Sequence, residues 1–565
     1  MIINTAKSLA MAFGLLLLTG PADALDKADL ILSSNHVVLM TGEQKSQPLA
    51  IAITNQRIVW IGSHMEAKNI KGKHVNYGEQ SILPGFIDAH GHASYLAFAT
   101  QVANLASPPV GSVKTMQELQ EQLKSFIKEK ELAPGEWVIG LGYDDSLLKE
   151  QRHPTKQDLD AVSTVNPIYL IHVSSHLGAA NSLGLSLANI TQNSIDPPGG
   201  KIRRMKGSQE PNGVFEETAA YPLQKLAMTS YKDPLGSVKE AMKIYASNGI
   251  TTAQDGASSP ESIALMRAAD AQGLLNLDVI TYPIGQGDAG TLIDSTVFGE
   301  YQGRLKVGGI KLILDGSPQG KTAYLTQPYF MPPHGKEADY TGYPLIPQEV
   351  ASEFVKTYSE AGIPIMAHAN GDAAADMLIR SIEDAKITSD HRTIMIHAQT
   401  VREDQLDQMK QLGIIPSYFS THTFYWGDWH RDSVFGLKRA SRISPTFSTL
   451  KRNMPFTVHN DAPVVPPDMI RLLWSTTNRL TRSGKVLGEN QKISTYDALK
   501  AMTINAAYQH FEEDIKGTIE VGKLADLVVL SENPLSMQIQ DLLNISVVAT
   551  YSHGQEIYQA NAAEL

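Results

Sequence analysis

Ser81-Ile-Leu-Pro-Gly-Phe-Ile-Asp-Ala-His-Gly-His92 is apolar for most of its length and stops on two histidines. That is the pattern of a short buried strand with chemistry at its C-terminal end. Residues i and i+2 of a strand point the same way, so both imidazoles can reach one ion. Alone, His-x-His is a weak sign, because core and surface histidines are common. Repetition gives it weight. Residues 249–255, 277–283, 309–316, 363–368, 393–397, 413–419 and 455–461 are also apolar runs that stop at polar residues. Between most of them lie stretches with apolar residues three and four apart, such as 348–361 and 402–412, which read as helices. Eight buried strands alternating with helices predict an α/β fold, a (β/α)8 TIM barrel, which keeps its chemistry at the C-terminal strand ends.

Short β-like runs lie outside this series, at 28–32, 36–40, 49–54 and 57–62, separated by polar or glycine-containing turns. Similar runs return only at 525–530, 545–550 and 556–558. A lone hairpin is marginal, so a small composite β-sandwich shared by both termini is the economical reading, with independent hairpins as the alternative. From His92 to Gly249 the gap is too long for one crossover. It holds a helix-like stretch at 116–132, strand-like stretches at 137–141 and 167–173, and a loop-like stretch at 192–212. This reads as a lobe inserted after strand 1 and capping the barrel mouth, or else as a separate domain. The expected division is a signal peptide at 1–24, sandwich at 25–83, barrel at 84–510 with the lobe at about 100–240, and sandwich again at 511–565.

The leader has a lysine at position 7, an apolar run from Leu9 to Leu18, and a small-x-small end at Ala22-Asp-Ala24. These are the parts of a secretory signal, cleaved near Ala24, and the apolar run is too short to span a bilayer. The mature protein is expected to be exported, periplasmic or secreted, without a membrane anchor. Composition narrows the chemistry. The 565 residues include no cysteine, which removes disulfides, thiolate zinc sites, iron–sulfur clusters and cysteine nucleophiles together. A formal charge of −11 disfavours nucleic acid as a partner.

Three further strand ends carry ligand-type residues: His368, His397 and Asp461. Their convergence with His90 and His92 on one barrel mouth is hard to explain by packing. Lys311 lies inside Gly309-Ile-Lys-Leu-Ile-Leu314, where an unpaired ammonium is costly to bury and has no lone pair for a metal. Reaction of its neutral amine with carbon dioxide would give a carbamate able to bridge two cations. A pairing with Asp315, or snorkelling to the rim, is the plainer alternative.

Together, Leu83-Pro-Gly-Phe-Ile-Asp-Ala-His-Gly-His92, Gly309-Ile-Lys-Leu-Ile-Leu-Asp-Gly-Ser317, His368-Ala-Asn-Gly-Asp372, Ile396-His-Ala-Gln399, Asp461-Ala-Pro463 and Gly517-Thr-Ile-Glu-Val-Gly-Lys-Leu-Ala-Asp-Leu527 resemble the amidohydrolase superfamily. Within it, they resemble the YtcJ-like (amidohydrolase 3) branch, which includes N-substituted formamide deformylases. The resemblance implies a hydrolase cleaving a non-peptide carbon–nitrogen bond of a small molecule, with one or two divalent ions, zinc foremost. It implies His90, His92 and Asp461 at the more buried metal, His368 and His397 at the second, Lys311 as a carbamylated bridge, and Asp461 as general base and acid. Relatives also imply a homodimer. The same water activation serves a lactone, ester or phosphotriester, and a catalytically dead exported binding or regulatory protein is the alternative from another class.

This chain departs from the family pattern at two places. His459-Asn460 precedes Asp461 where a Gly-Ser pair is usual, and Ser174-Ser175-His176 stands where Asp-Gly-His is common. His176 is a candidate substrate or oxyanion contact. Thr421-His-Thr-Phe-Tyr-Trp-Gly-Asp-Trp-His430 either walls a substrate pocket, with His422 the candidate contact, or anchors its loop. Glu217 is assigned no role beyond structure.

Overall fold

The computed structural model describes residues 25–561 except 230 and 334. The expected signal peptide lies outside the described residues. Strands of an eight-stranded mixed sheet come from both ends of the chain. Lys27–Val37, Gln47–Thr54, Arg57–Gly62, Lys71–Asn76 and Ser81–Pro84 supply one part, and Leu527–Leu530, Val547–Ser552 and Gln555–Gln559 the other. The ends meet where Leu527 pairs antiparallel with Pro84 and Leu530 with Ser81. Two details differ from the sequence reading. Ser33-Ser34-Asn35 is not a turn but the middle of one long strand, because buried Ser34 donates its hydroxyl to the Gln80 carbonyl. Lys71–Asn76, too polar to read as a strand, pairs parallel with Lys27–Val37 as an exposed edge.

Gly85 is the hinge between sheets: a Cβ there would lie 2.3 Å from the Thr251 side chain, so only glycine lets the two backbones approach. Beyond it, Phe86–Ile87, Ile250–Ser258, Asp278–Pro283 and Leu305–Val307 pair in parallel to form one arc, which an antiparallel edge at Tyr301–Gln302 extends. Ile310–Ile313, Ile365–Ala369, Ile394–His397, Ile415–Tyr418 and Thr457–Val458 form a second, entirely parallel arc. Each of the eight apolar runs expected in the parallel series contains a strand. The arcs touch at both seams: Gly285 donates to the Lys311 carbonyl (2.8 Å) on one side, and Asp461 to that of His90 (3.2 Å) on the other. Helices Gln348–Glu360, Asp372–Ala385 and Glu403–Leu412 alternate with the second arc and bury apolar faces such as Leu378, Ile382, Leu406 and Met409 against it.

Residues 103–217 build a separate six-stranded sheet with Met116–Glu129 packed on it. The stretch expected as loop contains a strand, Gly200–Arg204, paired antiparallel with Pro211–Glu217. Its charges concealed it, and Arg203 is neutralised by Glu216 across the pair (2.7 Å). Trp426 fastens this sheet to the second arc by donating its indole N–H to Asp144 (2.7 Å). Among the described residues no helix is long and apolar enough to cross a membrane.

Candidate metal centre

The structure brings His90, His92, Lys311, His368, His397 and Asp461 into one buried cluster at the strand ends. His90 Nε2 lies 3.0 Å from Lys311 Nζ and 3.4 Å from Asp461 Oδ1, and His92 Nε2 lies 3.1 Å from that same oxygen. His397 joins them, with its ligand atom, one from His90 and one from Asp461 mutually within 4.8 Å. His368 Nδ1 is 3.2 Å from His397 Nε2. Asp461 reaches inward from a left-handed backbone (φ 58°) at the turn after the last parallel strand.

Proton positions follow from partners that can only accept. His92 Nδ1 faces the Gly256 carbonyl at 2.5 Å, and His90 Nδ1 faces Gln254 Oε1 at 2.5 Å. The Gln254 amide is oriented by donating to the Ala89 carbonyl (2.8 Å). Each ring therefore carries a proton on Nδ1 and turns Nε2 towards the cluster. In His92 that nitrogen meets a carboxylate oxygen at 3.1 Å, a contact that either a proton or a shared metal ion satisfies. Ligands about 2.0–2.1 Å from a tetrahedral zinc stand roughly 3.3 Å apart, near the separations seen here. The donor set of imidazoles and carboxylate fits a divalent metal of the zinc type.

Burial shapes the electrostatics. It holds His90, His368 and His397 well below the ordinary histidine value, so all three rings are neutral at pH 7 and keep a lone pair. Burial likewise pulls Lys311 down to about 7, which makes free amine plentiful at neutral pH. For Asp461 burial opposes ionisation, but the hydrogen bond from His92 leads the contacts that outweigh it and hold its pKa well below the usual carboxylate value. Asp315 is not the partner of Lys311. Its oxygens accept the backbone N–H groups of Tyr324 (3.0 Å), Asn370 (3.0 Å) and Gly371 (2.8 Å).

His176 stands over the second histidine pair, its ring centroid 5.3 Å from that of His368. Glu217 holds it by accepting from Nδ1 at 2.7 Å, and this carboxylate raises the imidazole's pKa although burial works the other way. His422 is engaged elsewhere: Nδ1 lies 3.0 Å from His430 Nε2, and the ring packs on Phe419 and Trp426. Phe419 carries that aromatic cluster up to His397 and His459. Two residues with no expected role are thus in place, Glu217 against His176 and His459 against His397 (3.2 Å). The departure at position 459 was the visible signal for the second. A Cβ on Gly316 would lie 2.5 Å from Glu217 Oε1 and 2.2 Å from Thr322 Oγ1. Gly316→Ala is therefore expected to displace Glu217 and loosen His176, lowering kcat/KM by about tenfold; an unaltered kcat/KM would refute the link.

A buried cluster of imidazoles, lysine and aspartate at parallel strand ends belongs to a hydrolase class, and the chain is a member of the amidohydrolase family, whose model matches residues 78–558. The chain is similar to the N-substituted formamide deformylase of Arthrobacter pascens, 27% identical over 554 residues that cover 94% of this chain and 98% of that protein. It is also similar to the putative amidohydrolase YtcJ of Bacillus subtilis, 22% identical over 92% of this chain and 97% of that protein. An uncharacterized metal-dependent hydrolase from Pyrococcus horikoshii shares the fold with a TM-score of 0.71 at 22% identity, covering 90% of this chain and 99% of that one.

Proposed function

We propose that this protein hydrolyses a non-peptide carbon–nitrogen bond of a small molecule, an amide, N-acyl or N-formyl group, at a divalent metal centre. One observation carries the reading: the ligand atoms of His90, His397 and Asp461 lie mutually within 4.8 Å, with His92 Nε2 3.1 Å from the same Asp461 carboxylate. His90, His92 and Asp461 would hold one ion, His368 and His397 a second, with Lys311 between them as a carbamate. When bound, such an ion lowers the pKa of water towards about 7 and polarises the scissile carbonyl. Asp461 takes the proton of the attacking water and returns it to the leaving nitrogen. His176, oriented by Glu217, donates from Nε2 to the substrate oxygen on which charge develops. His422 and its aromatic neighbours wall the pocket. The formamide deformylase resemblance supports the bond type.

The same reading takes the two arcs as one closed (β/α)8 barrel, the 103–217 sheet as the cap over its mouth, and the terminal sheet as a small sandwich domain. Export after cleavage near Ala24 completes it. Metal analysis of mature protein purified without added metal, with intact mass under gentle conditions, tests the proposal. Two zinc-type ions and one carbon dioxide of extra mass, lost on acidification, are expected. A protein that neither contains nor takes up metal would sink it. Turnover of N-formyl and N-acyl compounds, compared with lactones and esters, then decides the bond.

A further inference from the structure

His459 has no place in the ligand set above, yet it is fully buried against it. Its Nε2 lies 3.2 Å from His397 Nδ1, and its Nδ1 lies 2.9 Å from the hydroxyl of Ser417, itself fully buried one strand away. We propose that the Ser417–His459 couple is a positioning device that keeps the proton of His397 on Nδ1 and so leaves its Nε2 free to bind the second metal ion. This rests on the metal reading of the preceding subsection.

A neutral imidazole has one proton and one lone pair. With the proton on Nδ1, His397 donates to His459 Nε2 and offers its Nε2 lone pair to the space shared with His368 Nδ1. With the proton on Nε2, His397 donates to His368 instead and has nothing left for an ion there. His459 supports the first state when its own proton sits on Nδ1, facing the Ser417 oxygen, because its Nε2 is then free to accept from His397. For His368 the Gly316 carbonyl, 3.1 Å from Nε2, offers an acceptor for the proton, beside the Asn370 amide at 3.0 Å from the same nitrogen. Partners of this kind orient metal-binding histidines and raise their basicity, and their loss weakens metal affinity about 10–100-fold. What is particular here is that the partner is a second histidine, at a position where the related pattern has a small residue.

The test is zinc affinity of the full mature chain, measured by competition with a chromogenic chelator, alongside thermal unfolding of the metal-free proteins to establish folding. His459→Ala is expected to weaken one of the two zinc equivalents about 10–100-fold and leave the other unchanged. His459→Gln restores an acceptor and is expected to recover most of the loss. Ser417→Ala should fall between the two. Wild type that binds two ions beside an H459A variant of equal affinity overturns the relay alone, as does an H459Q variant that folds yet binds no better than H459A. Wild type that binds no zinc overturns the metal reading and the relay with it.

Discussion

Asp461→Asn is expected to lower kcat/KM by roughly 10²–10⁴-fold, the contribution of a well-placed general acid and base. The amide keeps the size of the side chain and one oxygen near His90 and His92, but it cannot take a proton from water. The backbone stays where it is, because the Asp461 N–H still donates to the His90 carbonyl and the turn is unaltered. Metal content measured on the same sample separates the two uses of this carboxylate. Retained metal with collapsed turnover marks proton transfer, whereas parallel loss of both marks ligation. Activity within tenfold of wild type would remove Asp461 from the mechanism.

The second large effect lies at the opposite end of the parallel strands. Lys516 is fully buried and donates to Asp278, Thr252 (3.1 Å) and Tyr301 (3.1 Å), with Glu512 3.1 Å away. Asp278 also receives Arg304 (3.0 Å) and His553 (3.0 Å), so the network ties the first arc to the C-terminal strands. Lys516→Met leaves Asp278 and Glu512 buried with fewer counter-charges, and a loss of about 3–5 kcal/mol is expected in denaturant unfolding. Asp278→Asn in the same background should recover part of that loss, since the two sites share one network. The pH dependence has a definite sign. Burial opposes the Asp278 charge, but Lys516 and His553 outweigh it and hold its pKa well below the ordinary carboxylate value. A lowered folded pKa contributes stability above the unfolded value of about 3.9 and loses it as pH falls further. Acid should therefore loosen this seam, and K516M should lack that part of the acid transition.

The parallel strands were legible because each is a short apolar run bounded by polar residues, and a strand buried on both faces has little other option. Lys71–Asn76 and Gly200–Arg204 were not, because an edge strand needs no apolar face and is specified by its neighbour rather than by its own pattern. At the site, the five residues on strand ends, His90, His92, His368, His397 and Asp461, could be named from position, since strand ends of such a sheet converge. The roles of Glu217 and His459 could not. Glu217 lies 41 residues from His176, and His459 lies 62 from His397, so each contact exists only once distant segments have been packed together. Lys311 shows the same limit from the other side: only the structure reveals that Asp315 is already taken up by three backbone N–H groups.

The pairing of Ser81–Pro84 with Leu527–Leu530 also sets an order of events during synthesis. The N-terminal strands emerge from the ribosome first, but the neighbour that completes their sheet, Leu527 opposite Pro84, is translated 443 residues later. Until then the Ser81–Pro84 edge is unpaired, a template for another chain. Contacts of such long sequence separation form slowly, and incomplete chains with open edges aggregate. A chain stopped before Leu527 should thus accumulate as aggregate rather than as a smaller soluble protein, with nascent-chain binders occupying that edge in the interval.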